Sequence, residues 1–200
     1  MWYNVRSKPR TNGIQVSDFD AILCRTNAGV IAQAIEQHAQ GKTVKVTMSG
    51  GFGGLRKFCE AAEMLMNGES PWKFPALQAF NNWPDVQAYS QTDEGAELRS
   101  MVRLADNYGV DAIVEMMANC IDGADKKQRN KQADVTIITA HKAKGLEWNR
   151  VLIHGDFKPA KSETGPSETD IRLMYVAVTR AKLFLDATAL DWVFNLDCEG

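Results

Sequence analysis

The chain has 200 residues, 44% hydrophobic and 24% charged, the balance of an ordinary globular protein with room for one core domain and a small insertion. A net charge of -2 excludes nucleic-acid binding by bulk positive charge, and no apolar run is long enough to cross a bilayer or form a signal-peptide core. Cys24, Cys59, Cys120 and Cys198 form no CxxC pair, and His38, His141 and His154 lack HExxH spacing, so the pattern predicts no metal site and no disulfide framework. The expectation is a cytoplasmic protein, or a nuclear one in a eukaryote, with most of the cysteines acting as small buried hydrophobes.

Ala21-Ile22-Leu23-Cys24 reads as a short buried strand. Asn27 is placed to cap a helix with the apolar face Val30, Ile31, Ala34 and Ile35, and Gly41 is placed to stop it. Val44 to Met48 is the next strand. The turn Gly50-Gly51-Phe52-Gly53-Gly54 leads to a helix through Leu55, Phe58, Ala62 and Leu65. Two readings of that turn stand side by side: backbone N–H groups offered to an anion, or a tight turn needing positive φ.

From residue 67 to 133 prolines and aromatics replace the strand pattern, and two amphipathic helices follow, one through Leu98, Met101, Val102 and Ala105, the other through Ile113, Val114, Met117 and Ile121. This segment reads as a helical insertion, with Trp72 and Trp83 expected to pack it rather than stack on bases. The run Lys126, Lys127, Arg129 and Lys131 reads as a solvated basic loop. Val135 to Thr139 and Val151 to Ile153 return to strand chemistry. A loop to Ser167 follows, then a helix capped by Ser167 through Ile171, Met174, Tyr175 and Val178, and a last strand at Leu183 to Leu185. The fold class is α/β, a mostly parallel sheet with helices on both faces plus a helical insertion. Its parts are residues 1–66, the insertion 67–133, and residues 134–200.

Two motifs are false. Gly41-Lys42-Thr43 looks like the end of a phosphate loop, but Glu36 stands where that loop needs glycine and the turn runs helix to strand. Asp93-Glu94 follows polar Ser90-Gln91-Thr92 instead of a buried strand, so it is no magnesium-binding carboxylate pair. Neither provides a way to hold MgATP.

Three other segments carry the functional signal. Thr139-Ala140-His141-Lys142-Ala143-Lys144-Gly145-Leu146-Glu147-Trp148 resembles motif V of UvrD-like superfamily 1 DNA helicases. Arg172 to Lys182, with Tyr175-Val176-Ala177-Val178-Thr179-Arg180-Ala181 at its centre, resembles motif VI, and Ile22 to Asn27 resembles motif IV. They occur in the family's order, and the short insertion resembles the F-box DNA helicase branch more than UvrD itself.

The resemblance implies the C-terminal RecA-like domain of a helicase, of the P-loop-NTPase type. It implies that Arg25 and Arg180 reach the γ-phosphate, that Glu147 lies near the nucleotide sugar, and that Gly145 admits the backbone. It implies that Thr139 and His141 face single-stranded DNA, with Lys142 and Lys144 extending an electrostatic track. ATP and Mg2+ would be held mainly by an N-terminal RecA-like domain of the same protein, without which this part is expected to be inactive. Translocation from 3′ to 5′ is implied by the resemblance alone. Relatives often carry an aromatic before the motif IV arginine, where Cys24 stands. Two rivals remain: a non-catalytic DNA- or protein-binding adaptor, and part of a helicase–nuclease subunit, which needs a carboxylate-rich domain beyond Gly200.

Overall fold

The computed structural model describes residues 19–72, 74–158 and 166–195. Six strands form one sheet in the order β3-β2-β4-β1-β5-β6: β1 Ala21–Cys24, β2 Val44–Thr47, β3 Ile121–Asp122, β4 Val135–Thr139, β5 Trp148–Ile153 and β6 Ala181–Asp186. Every pairing is parallel. β1 lies centrally, and all four of its residues are buried, as expected of a strand covered on both faces.

Alternation along the strands separates two cores. Ile22, Cys24, Val44, Val46, Val135 and Ile137 join the first, with α1 (Asn27–Ala39) and α2 (Gly51–Met66). Ala21, Leu23, Ile138, Val151, Ile153 and Leu185 join the second, with α6 (Glu168–Val178) and the 3-10 segment Thr188–Asn195. The α/β expectation, with helices on both faces, is met.

Thr26, rather than Asn27, caps α1: its hydroxyl accepts from the Gly29 N–H at 2.9 Å, and Asn27 is the first helical residue. Gly41 follows the end of α1 at φ 80°, as its stop signal requires. The glycine turn before α2 satisfies both of its readings. Gly50 has φ 79° and Gly51 φ 56°, and the anion at the helix start is the protein's own Asp122, whose Oδ2 accepts from the Phe52 N–H at 3.2 Å.

The segment between α2 and β4 holds a 3-10 turn at Pro75–Leu77 and helices α3 (Trp83–Ser90), α4 (Ala96–Tyr108) and α5 (Val110–Asn119). These helices do not form a core apart. α5 packs on α1, α2 and α4, and Leu77, Trp83, Val86, Val102 and Met116 share the first core with Phe58. Ile121, placed by its spacing on the second insertion helix, instead opens β3 and pairs with Lys45. Trp83 is a core residue that donates to Asp106 at 3.0 Å, whereas Trp72 is two-thirds exposed. Cys24, Cys59 and Cys120 are buried free thiols, burial pushing the latter two up to about 11. Cys198 lies outside the described residues.

Gly29, in the first turn of α1, sits against Asp156. A Cβ there would lie 2.2 Å from Oδ2 and 2.8 Å from Cγ of that carboxylate, which three hydrogen-bond donors hold in place. Glycine to alanine within a helix ordinarily stabilises by about 1 kcal/mol. Gly29→Ala is expected to do the opposite, lowering stability by about 1–3 kcal/mol through overpacking, read as a fall in the denaturant midpoint.

Candidate functional site

In a parallel sheet all strands end at one edge, so a residue's place in the chain decides which edge it serves. Arg25 follows β1, Thr139 and His141 end β4, and His154 and Asp156 follow β5, all on the carboxyl edge. Glu147 precedes β5 and Arg180 precedes β6, both on the amino edge. Arg25 and Arg180, expected to act on one phosphate, are held by different partners in the structure. Arg25 contacts Asp170 at the start of α6, while Arg180 follows its end, ten residues on and about 15 Å along the helix axis.

The carboxyl edge is built on Asp156. Its Oδ1 accepts from the Arg25 N–H at 2.9 Å, and its Oδ2 accepts from the Thr26 N–H at 2.9 Å and the Thr26 hydroxyl at 2.8 Å. His154 Nδ1 lies 3.0 Å from Oδ1, off the hydrogen-bonding direction, so the contact is electrostatic in character. Burial pushes the Asp156 carboxyl up, but these donors outweigh it and hold the group below the usual carboxylate range. Cys24 Sγ also falls within 4.8 Å of the ligand atoms of His154 and Asp156. Three of the carboxylate's acceptor positions are already taken by hydrogen bonds, and the burial of Cys24 disfavours its thiolate, so this donor set is suited to fixing the turn after β1 rather than to holding a metal.

Beside it, Asp170 takes the Arg25 side chain. Arg25 Nε donates to Oδ1 at 3.1 Å and Nη2 to the same oxygen at 2.5 Å, while the Ser167 hydroxyl donates to Oδ2 at 2.7 Å. The hydrogen bond from Arg25 holds the Asp170 carboxyl below its ordinary range. Of the residues expected on the strand of DNA, His141, Lys142 and Lys144 are exposed, but Thr139 is 3% exposed and its hydroxyl has no partner among the described residues. Thr139 underlies this edge. Cys24 is likewise enclosed, so it presents no surface where an aromatic would stack.

On the amino edge Arg180 is held by neutral groups. Nε donates to the Val176 carbonyl at 2.8 Å, Nη1 to the Leu146 carbonyl at 3.1 Å and Nη2 to the Thr179 hydroxyl at 2.8 Å. No described carboxylate pairs with it, so its charge stays uncompensated and two of its five N–H donors remain. Glu147 lies nearby in sequence to the anchored Leu146, in an exposed 3.5 Å pair with Lys182.

Residues 140–147 connect the two edges. They leave β4 and enter β5 across the intervening β1 in eight residues, shorter than the dozen or more of an ordinary parallel crossover. Ala140 and Ala143 are buried in this crossing, and Gly145 takes φ 85° with open space where a Cβ would stand. Its glycine requirement is thus one of backbone conformation. A cleft of about 230 Å³ separates the crossing from α6, rimmed by His141, Lys144, Thr169 and Arg172.

The profile of the UvrD-like helicase C-terminal domain matches residues 77–189, more than half of the chain. The chain belongs to this family. It is 28% identical over 194 residues to the F-box DNA helicase protein 1 of Schizosaccharomyces pombe, covering 88% of this chain and 22% of the relative. It is also 28% identical over 196 residues to a probable DNA helicase II homolog of Mycoplasma pneumoniae, covering 92% of this chain and 24% of that protein. A probable DNA helicase II homolog of Mycoplasma genitalium is 39% identical over 74 residues, 33% of this chain and 10% of the relative. The chain thus spans less than a quarter of the length of these relatives. No helix among the described residues is long and apolar enough to cross a membrane.

Motif reading of this UvrD-like domain missed Asp156 and Asp170. Asp156 sits in no recognisable motif and matters only because β5 ends beside β1. Asp170 had a local signal, the Ser167-x-x-Asp170 spacing of a capped helix start, but nothing in it pointed to Arg25.

Because the folded Asp156 carboxyl is depressed, its contribution is present above the unfolded value near about 3.9 and is lost as pH falls through the folded value. Asp156→Asn is expected to cost about 2–4 kcal/mol at pH 7 and to flatten the acid limb of stability below about pH 4. Denaturant midpoints across pH 2.5–7 check both. An unaltered acid limb removes Asp156 as the anchor of this turn.

Proposed function

We propose that the chain is the second motor domain of an ATP-dependent DNA helicase or translocase, with its two sheet edges serving the two substrates. The amino edge forms one wall of an ATP cleft. Arg180 reaches the γ-phosphate there and Glu147 lies by the nucleotide sugar, while an N-terminal RecA-like domain of the same protein holds most of the ATP and its Mg2+. ATP closes the two domains and hydrolysis releases them; alone, this domain turns over no ATP. The carboxyl edge forms part of a single-strand track, with His141, Lys142 and Lys144 as exposed cationic contacts. Arg25, beside Asp170 at the start of α6, is the second arginine proposed to reach the γ-phosphate. Residues 67–133 are an insertion that shares the first core of the motor.

The observation that carries this reading is the state of Arg180. A guanidinium pinned by carbonyls, uncompensated by any described carboxylate, and set beside Glu147 is a prepared anion receptor. Phosphoryl transfer needs such a charge where negative charge gathers on the transferred group, and a guanidinium from a second domain supplies it only on closure.

In the complete protein, Arg180→Ala is expected to lower ATP turnover by about 10³-fold, within the range of arginine fingers. Affinity for a single-stranded oligonucleotide without nucleotide should stay unchanged, since that contact is on the other edge. Loss of the bonds to Val176 and Leu146 should cost about 1 kcal/mol. Arg180→Lys should recover little, because one ammonium cannot hold the carbonyls and also engage phosphate oxygens. Steady-state turnover beside a thermal melt reads both quantities. Normal turnover in a folded Arg180→Ala protein overturns the assignment.

A further inference from the structure

Residues 123–134 return the chain from β3 to β4 past β2, without a helix. α1 and α2 pack on the face that holds the first core, and they carry the chain outward from β1 to β2 and on toward β3. A parallel crossover that runs back the other way is right-handed only on the opposite face. Gly123 agrees with this placement. A Cβ there would meet the Thr47 hydroxyl at 2.1 Å, and Thr47 points away from the first-core residues Val44 and Val46. The 140–147 crossing lies on the same second face, where Ala140 and Ala143 join the second core. The two crossings pass over β2 and β1 with β4 between them, and so run side by side about 10 Å apart.

Lys126, Lys127, Arg129 and Lys131 all lie in this loop, and all are exposed. The acids beside them shape the backbone instead of pairing with them. Asp122 accepts from the Ala124 N–H at 2.9 Å, Asp125 from the Lys127 N–H at 2.8 Å and Asp134 from the Thr43 N–H at 2.7 Å. The Asp125 carbonyl takes the Gln128 and Arg129 N–H groups at 3.0 and 2.9 Å. The Lys127 N–H, then the Gln128 side chain, holds the Asp125 carboxyl below its ordinary range, and the Lys127 and Lys131 charges add to this without an ion pair. Among the described residues, no carboxylate forms an ion pair with any of the four cations and no hydrogen bond uses their side chains. Sequence alone reads such a run as a solvated loop. Its place on the fold adds to that, because the exposed Lys142 and Lys144 stand on the neighbouring crossing. Two adjacent crossings thus gather unpaired positive charge on one face of a chain whose net charge is -2.

We propose that Lys126, Lys127, Arg129 and Lys131 form a second phosphate-binding surface, which takes the sugar–phosphate backbone of nucleic acid beside the 140–147 crossing. The proposal rests on the reading of the chain as part of a DNA motor, and it adds a contact that no motif residue provides. Cations on a loop engage phosphates as charges, through release of counterions, and read no base sequence.

The test uses the complete protein without nucleotide and two labelled probes, an oligothymidylate and a blunt hairpin duplex, titrated over a series of salt concentrations. Lys126→Gln, Lys127→Gln and Arg129→Gln are combined in one variant. It is expected to weaken binding of at least one probe about 10-fold at low salt and to lower the salt slope by about 2, the loss of two to three phosphate contacts. Loss on the oligothymidylate identifies single strand as the source of the phosphates, loss on the hairpin identifies duplex, and loss on both shows a backbone contact common to them. Arg56→Gln, Lys57→Gln and Arg103→Gln remove the same charge from exposed positions of α2 and α4, on the first-core side, and should leave affinity within about 2-fold. Lys126→Arg with Lys127→Arg should bind as the unaltered protein does, since the contact is with charge. Every substituted side chain is exposed, so thermal melts should stay in place. Equal weakening by the two triple variants, or unchanged binding of both probes by the loop variant, overturns the proposal; the second result leaves the loop to solvent or to an acidic protein. If His141→Ala weakens binding while the loop variant does not, only the role of the loop falls. If neither weakens it, the strand-track reading falls as well.

Discussion

The parallel sheet imposes a separation on everything the domain carries. Strand ends gather Arg25, His141, His154 and Asp156 at one edge, and strand beginnings gather Glu147 and Arg180 at the other. No side-chain rearrangement moves a residue from one edge to the other, because the interposed strands are buried on both faces and closely packed. The sheet between the edges acts as a rigid spacer. The two arginines show the consequence. They look interchangeable as motif residues, yet one is held by a carboxylate and the other by carbonyls.

Much of this fold is legible in the sequence, and the reason is the burial of the strands. Ala21–Cys24 stands out as an unbroken apolar run because both of its faces are covered, and Val135–Thr139 stands out by its β-branched residues. Gly41 and Ser167 mark helix ends through local backbone chemistry that needs no tertiary knowledge. β3 was not legible: two residues with the period of the preceding helix become a strand only because β2 offers an open edge. The cap of α1 passed to Thr26 for a similar reason. Both Thr26 and Asn27 are good caps, and Asp156, distant in sequence, decides between them by binding the Thr26 N–H and hydroxyl.

The candidate site was legible residue by residue but not in its arrangement. His141, Glu147 and Arg180 are marked by a long pattern of residue types, and the structure leaves His141 and Glu147 exposed and Arg180 partly so. Thr139 belongs to the same pattern but is buried, because the last position of a central strand points into a core. Pattern matching assigns a residue to a motif; only the direction of its strand assigns it to an edge. Arg25 and Arg180, paired by resemblance, thus sit at opposite ends of α6. The carboxylates that mount Arg25 carry no pattern at all, since their roles arise from contacts across 131 and 145 positions of sequence.

One segment escapes the separation. Residues 140–147 carry the exposed His141 near the carboxyl edge and end with Glu147 on the amino edge, and they do so without a helix to absorb slack. Ala143 is buried beneath it, Gly145 is held at a φ that disfavours other residues, and the Leu146 carbonyl is tied to Arg180. A shift of Arg180 toward a phosphate pulls on Leu146 directly, and the three residues between Leu146 and Lys142 leave little length in which to dissipate it. Within the proposed function this makes the crossing the shortest covalent path between nucleotide and strand. The coupling it supplies is mechanical: the segment is too short to let one end move far while the other stays, and the packed sheet beneath gives both ends a fixed surface to move against.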